Sequence, residues 1–298
     1  MNKKLLATVI LAALTVSATS AFAAPTISGD ARLLTQKNED GRTYTDTRFR
    51  LNADAELGDG LYAHGRIMGI DMQSPSTPLN YAEAGTGQSG ASINIEQMYL
   101  GAKIGMVDIK AGRQPIAVGN GLLADINGIE GLSLAGNVGS LSTYGFAGRS
   151  GSTDVIAADV KSNLDNVDVG ASFLKKESTE YWALNANTKV ADKIQLAGEY
   201  VKNDSTDRDG YLVKATIGEA TKKGDFNYAV SYRNIDNGAV DADWTTNGAF
   251  ADSKGFRIEA NYKVGDNANL NLYKDFVEQV SDTSKHPDQA RVELSVNF

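Results

Sequence analysis

From about Thr26 to its last residue, the chain runs as short stretches in which apolar and polar side chains alternate, separated by Gly, Asn, Asp and Ser. In the stretch 43–57, Phe49, Leu51, Ala53, Ala55 and Leu57 oppose Arg48, Arg50, Asn52, Asp54 and Glu56. Further on, Phe226, Tyr228, Val230 and Tyr232 oppose Asn227, Ser231 and Arg233, and Phe256, Ile258, Ala260 and Tyr262 oppose Arg257, Glu259, Asn261 and Lys263. The final stretch repeats the pattern, with Val292, Leu294, Val296 and Phe298 against Arg291, Glu293, Ser295 and Asn297. A period of two residues is that of a β-strand with two unlike faces. The chain is therefore read as all-β.

The pattern predicts about sixteen strands, with fourteen as the nearest alternative count. They fall near 26–36, 43–57, 61–73, 92–104, 107–113, 128–135, 140–148, 154–162, 167–175, 180–190, 193–203, 210–218, 225–234, 255–264, 269–279 and 290–298. Connections leading into the third, fifth and every later odd strand are short. The opposite side holds the two longest, 74–91 and 235–253. Short turns on one side and long loops on the other are expected of a single antiparallel up-and-down β-barrel spanning a membrane.

Which face points inward follows from size. A barrel of about sixteen strands is too wide for these side chains to fill, so its polar face is expected to line an aqueous bore and its apolar face to meet lipid. Composition bears on the compartment. Lys3 and Lys4, the apolar run from Leu5 to Val16, and Ala21-Phe22-Ala23 form a secretory signal peptide, predicted to occupy 1–23 and to leave a barrel domain of 24–298. Removing its two lysines takes the formal charge from −8 to −10. No other run is apolar for about 18 residues, so no spanning helix is expected. With no cysteine there are no disulfides and no thiolate metal ligands, and no metal or other cofactor is expected. The acidic balance argues against a nucleic-acid partner, which would want a basic surface.

The signal peptide, the sixteen readable strands, the terminal Phe298, and Ala111-Gly112-Arg113-Gln114 before an apolar segment together resemble the general diffusion porins of Gram-negative bacteria. The resemblance spans the mature chain. It implies an outer-membrane channel for small hydrophilic solutes and ions, in contact with outer-membrane lipid and assembled as a homotrimer. It also implies an arginine cluster facing acidic groups on a loop folded into the bore.

The candidate residues are charged. Arg32, Arg48, Arg50 and Arg66 are predicted on the inner faces of the first three strands, near mid-height. An apolar core could not hold them, whereas a flooded bore can. The segment 114–127 is too apolar for a solvated loop, with Ile116, Val118, Leu122, Leu123 and Ile126. Folded inward it would carry Asp125 toward the pore axis as a constriction, with Glu130 beside it, although Glu130 shares the outward parity of Leu132 and Leu134. The alternative is that 114–127 lengthens its strands outward. His64, Lys214, Arg233, Arg257 and Glu259 are further candidates for the inner wall. Gly119-Asn120-Gly121 lacks the Lys-Ser/Thr of a phosphate loop, and the acidic loops lack calcium-loop spacing. With only His64 and His286 available as bases, and no serine fixed opposite either by a motif, no catalytic site is expected. The nearer competitor is a channel selective for anionic or sugar solutes, and after it an outer-membrane hydrolase.

Overall fold

The computed structural model describes residues 24–73, 90–245 and 251–298. The predicted signal peptide and nearly all of the connection 74–91 lie outside the described residues. Sixteen strands follow one another: β1 (Thr26–Asn38), β2 (Thr43–Gly58), β3 (Leu61–Gln73), β4 (Gly90–Ile104), β5 (Val107–Val118), β6 (Ala124–Val138), β7 (Leu141–Ser150) and β8 (Thr153–Leu164) make the first half. β9 (Val167–Lys176), β10 (Thr179–Ala191), β11 (Ile194–Asn203), β12 (Arg208–Gly218), β13 (Phe226–Ile235), β14 (Ser253–Gly265), β15 (Ala268–Glu278) and β16 (Gln289–Asn297) make the second. Each strand pairs antiparallel with its neighbours in sequence, and β16 pairs with β1, so the sheet closes into a barrel. Closure satisfies the backbone groups that an open edge would expose to lipid.

The seam is finished by the last residue. Phe298 N–H donates to the Gly29 carbonyl at 3.0 Å, and Gly29 N–H donates to the Phe298 carbonyl at 2.8 Å. The Phe298 ring stacks on Phe49 with centroids 5.4 Å apart. It lies over Gly29, where an added Cβ would come within 2.5 Å of the ring. Only a residue without a side chain leaves that slot open.

Alternation sorts the faces as a bore requires. Leu33 is 49% exposed on the outside, while its neighbours Arg32 and Leu34 are 6% and 0% exposed within. The outward set includes Phe49, Leu132, Leu184, Val230, Phe256 and Val296. The inward set includes Asp46, Arg48, Arg50, Glu199, Arg257 and Asp275. Short turns at one end use left-handed residues, among them Asp59 and Gly60 (φ 52° and 78°) and Asp165 (φ 56°), as tight hairpins demand.

Two stretches depart from the expected pattern, one in its strand limits and one in its register. The segment 114–127, read as a loop, is largely strand: β5 runs on to Val118 and β6 begins at Ala124, with Ile116 opposite Ile126 and Val118 opposite Ala124. Pro115 accounts for the misreading, because it sits at a register shift between Gln114 and Ile116 and has no N–H for the ladder. The second departure is in β4, where the register slips between Arg66 and Ile67 of β3 and leaves Glu96 as an extra residue. Such a bulge turns consecutive side chains to one face, and both Glu96 and Gln97 are buried.

Candidate functional site

The inner faces of β1, β2, β3 and β4 bring arginines and carboxylates together. Arg32 and Arg48 are cross-strand partners, as are Arg50 and Asp30. Such crowding of guanidiniums away from bulk water requires counter-charges. Arg32 is bound by both oxygens of Asp46, at 3.0 and 3.2 Å from Nη2. Arg48 reaches Asp30 at 3.3 Å. Glu96 takes Arg50 at 2.7 Å on Oε1 and Arg66 at 3.5 Å on Oε2, while Arg66 Nε donates to Asn52 at 2.6 Å. The counter-charges thus come from the same wall, from Asp30, Asp46 and the bulged Glu96. Asp30 and Asp46 share the arginines' parity. Glu96 was hidden by its bulge, although the outward series Ile93, Ile95, Met98, Leu100 shows the slip as a step of three.

The same wall continues round the seam. Arg233 on β13 and Arg257 on β14 both bind Asp275 on β15, at 3.2 and 2.7 Å, and all three are at most 2% exposed. Arg257 lies 3.8 Å from the Tyr273 ring centroid, and Arg291 on β16 lies 5.8 Å from it. Arg233 and Arg257 therefore converge on one carboxylate instead of standing scattered. Lys214 and Glu259, also inward, form an ion pair. His64 is on the inner face of β3, its Nδ1 2.7 Å from Asp54 and its ring stacked on Tyr99.

The β5–β6 hairpin leaves the wall at Pro115 and enters the barrel. Ile116, Val118, Leu122, Leu123 and Ala124 are buried against Phe146, Val155, Ala157, Leu174, Tyr181, Ala183 and Val201 from β7, β8, β9, β10 and β11. Each fully buried aliphatic side chain is worth about 1.5–3 kcal/mol relative to exposure, which is why the hairpin prefers the interior to the outer solvent. Its tip is held by wall carboxylates. Leu122 N–H donates to Glu199 Oε2 at 3.0 Å, and Gly119 N–H to Asp159 Oδ1 at 3.4 Å. Lys161 donates to the Gly119 carbonyl at 3.4 Å, and the amides of Asn120 and Asn187 pair at 3.1 Å. Gly119 is needed twice over: its φ is 75°, and a Cβ there would lie 2.0 Å from Glu199 Oε1. The two sequence alternatives for 114–127 thus merge, since the strands lengthen and the lengthened hairpin folds inward.

Asp125 stands on this hairpin opposite Ala117, with an exposed side chain. Glu130 requires correction. It is exposed, it pairs in register with the exposed Arg149, and it shares the outward parity of Leu132 and Leu134, so it does not belong to the inner surface. The connection after β13, expected as one of the two longest loops, also turns into the barrel: Ala239, Val240 and Trp244 are buried in the same apolar cluster. Its few apolar residues follow no period, so alternation gave no sign of them.

Among known proteins the resemblance is one of family and fold. The Gram-negative porin family matches residues 7–297. No curated protein sequence matches the chain. Its fold is similar to that of OprB of Pseudomonas putida in a low-pH structure, with a TM-score of 0.65 at 12% identity over 92% of both chains. A multiply substituted porin of Rh. blastica gives a TM-score of 0.66 at 12% identity, over 92% of this chain and all of that one. A loop-deleted form of OmpT, an outer-membrane protein of Vibrio cholerae, gives 0.64 at 11% identity, over 94% and 100%. A closed sixteen-strand barrel, apolar outside and charged within, matched along nearly its whole length, leads to one conclusion: the chain belongs to the Gram-negative porin family, transmembrane β-barrels of the outer membrane.

Proposed function

We propose that this porin passes small hydrophilic solutes and ions passively through a bore narrowed by a charged constriction. One side of the constriction is the arginine and carboxylate wall of Arg32, Arg48, Arg50, Arg66 and Glu96, and the other is the inserted hairpin carrying Asp125. The observation that carries the reading is the hairpin itself, tied at Gly119 and Leu122 to Asp159 and Glu199 across the barrel. Groups of both signs fixed at one level set a transverse field that orders water and favours polar solutes. Arginine charges matched by Asp30, Asp46, Glu96 and Asp275 leave no dense basic track, which supports a sieve over a selective anion or sugar channel.

No covalent step is part of this reading. His64 is engaged with Asp54 and Tyr99 as a wall residue, and His286 lies exposed in the connection before β16. Export by a cleaved signal peptide, supported by the charged, apolar and small-residue segments of 1–23, and assembly as a homotrimer, supported by resemblance, complete the proposal.

Single-channel conductance and reversal potential in a salt gradient test it. The expected result is an open channel whose current rises in proportion to salt and with small solutes crossing unsaturably. Saturation by one sugar or anion would favour the selective reading, and absence of conductance would remove both.

A further inference from the structure

The β13–β14 connection reaches the hairpin and fastens to it. Asp125 N–H donates to the Trp244 carbonyl at 2.7 Å. Trp244 is 5% exposed and shares the apolar cluster with Ile116, Val118 and Leu122. The connection is itself tied to the wall. Lys176 Nζ lies 2.5 Å from Asp241 and 4.8 Å from the Trp244 ring centroid, and Asn203 donates to the Gly238 carbonyl at 2.7 Å. Within it, Trp244 N–H and Thr245 N–H both turn back to the Asp241 carbonyl, at 3.0 and 3.2 Å. This is a compact, bonded segment with its tryptophan turned inward.

We infer that residues 236–245 are a second structural half of the constriction, with Trp244 a positioning residue that holds the hairpin in place and so sets the size limit for solutes. The inference rests on the channel reading above and deepens it. The hairpin's tip is fixed by Glu199, Asp159, Lys161 and Asn187, and its returning strand is met at Asp125 by Trp244 and at Asn127 by Gln97. Two clamps at separated points stop a hairpin from pivoting, whereas one leaves a hinge. The hairpin and this connection together cover the upper inner surface of β7 to β13, so the free bore lies toward the arginine wall. Loosening the second clamp widens that slot without touching a charge in it.

The test uses the purified full-length mature barrel in planar bilayers, with single-channel conductance and the size of polyethylene glycol that still enters as readouts. Trp244→Ala is expected to raise conductance, by up to about twofold, and to admit larger polymers with a noisier open state. Lys176→Met, which removes the Asp241 tie and leaves the apolar cluster whole, keeps the idea testable if Trp244→Ala does not fold; a smaller rise is expected. The chain has no native cysteine. A reducible cross-link between Asn203→Cys and Gly238→Cys, placed in the Trp244→Ala or Lys176→Met background, should lower conductance toward wild type when closed relative to the same variant when reduced, the reduced form carrying the strain of a side chain at φ 84° as the reference. Folded variants with wild-type conductance and polymer cut-off, whether cross-linked or reduced, would overturn the inference while leaving the channel reading intact. A silent wild-type protein would instead remove the channel reading, and this one with it.

Discussion

At the scale of single residues, the inner wall shows how a polar bore holds crowded guanidiniums. Asp275 serves Arg233 and Arg257 together, and none of the three has appreciable contact with solvent. Removing one member of such a buried set leaves an uncompensated charge, so Asp275→Asn should cost about 3 kcal/mol, read as a lowered urea midpoint of the folded barrel in detergent. An unchanged midpoint would show the arginines to be better hydrated than their burial implies. Glu96 is the contrasting case, since it neutralises Arg50 and Arg66 at the edge of the free bore. Glu96→Gln also deprives Arg50 of a buried counter-charge and should cost stability, but its distinguishing effect should be a shift of the reversal potential in a salt gradient toward anions. A shift toward cations, or none, would exclude Glu96 from the field that solutes cross.

At the scale of elements, the inserted hairpin depends on its glycine tip. Gly119 and Gly139 both have positive φ, 75° and 61°, so alanine strains either backbone alike. Only at Gly119 does the new methyl meet a wall group, Glu199, whereas nothing lies within 4 Å at Gly139. Gly119→Ala should therefore change conductance and Gly139→Ala should not, in the same bilayer measurement; equal effects would refute an anchoring role for the tip. Much at this scale was legible beforehand, because alternation reports which face of a strand meets which medium. Strands such as β2, β13 and β14 were readable with their faces, and the apolar excess of Ile116, Val118, Leu122 and Leu123 marked the hairpin as interior. What alternation misses is any change of phase or loss of period. Pro115 made a strand look like a loop, Glu96 fell in a bulge, and Trp244 belongs to a connection with no period at all. The counter-charges of the arginines were sought on the inserted segment because family resemblance pointed there, yet Asp30 and Asp46 lay two residues from Arg32 and Arg48.

At the scale of the whole molecule, the wall turns most of its large apolar side chains outward, while the interior holds the buried charges together with the apolar cluster under the inserted segments. Leu184, 62% exposed near the middle of β10, is set for hydrocarbon. Leu184→Arg should destabilise the barrel by about 2–4 kcal/mol in lipid vesicles, whereas Lys189→Gln, at an exposed position of inward parity on the same strand, should alter ion permeation more than stability. Equal losses of stability for the two would contradict the assigned orientation. Outward Trp182 and Phe173, with ring centroids 4.6 Å apart, and Tyr232 and Phe256, at 4.9 Å, supply amphipathic or bulky rings on the lipid side.

The pairing of β1 with β16 also governs how such a barrel can come to exist. Every strand up to the fifteenth can find its sequence neighbour, but the first cannot satisfy its other side until the final nine-residue strand arrives. Until then two unsatisfied ladders face outward, and in hydrocarbon neither has water to fall back on. Stability in the membrane is thereby tied to completion: the two open ladders are satisfied only when the tail of the chain joins its head.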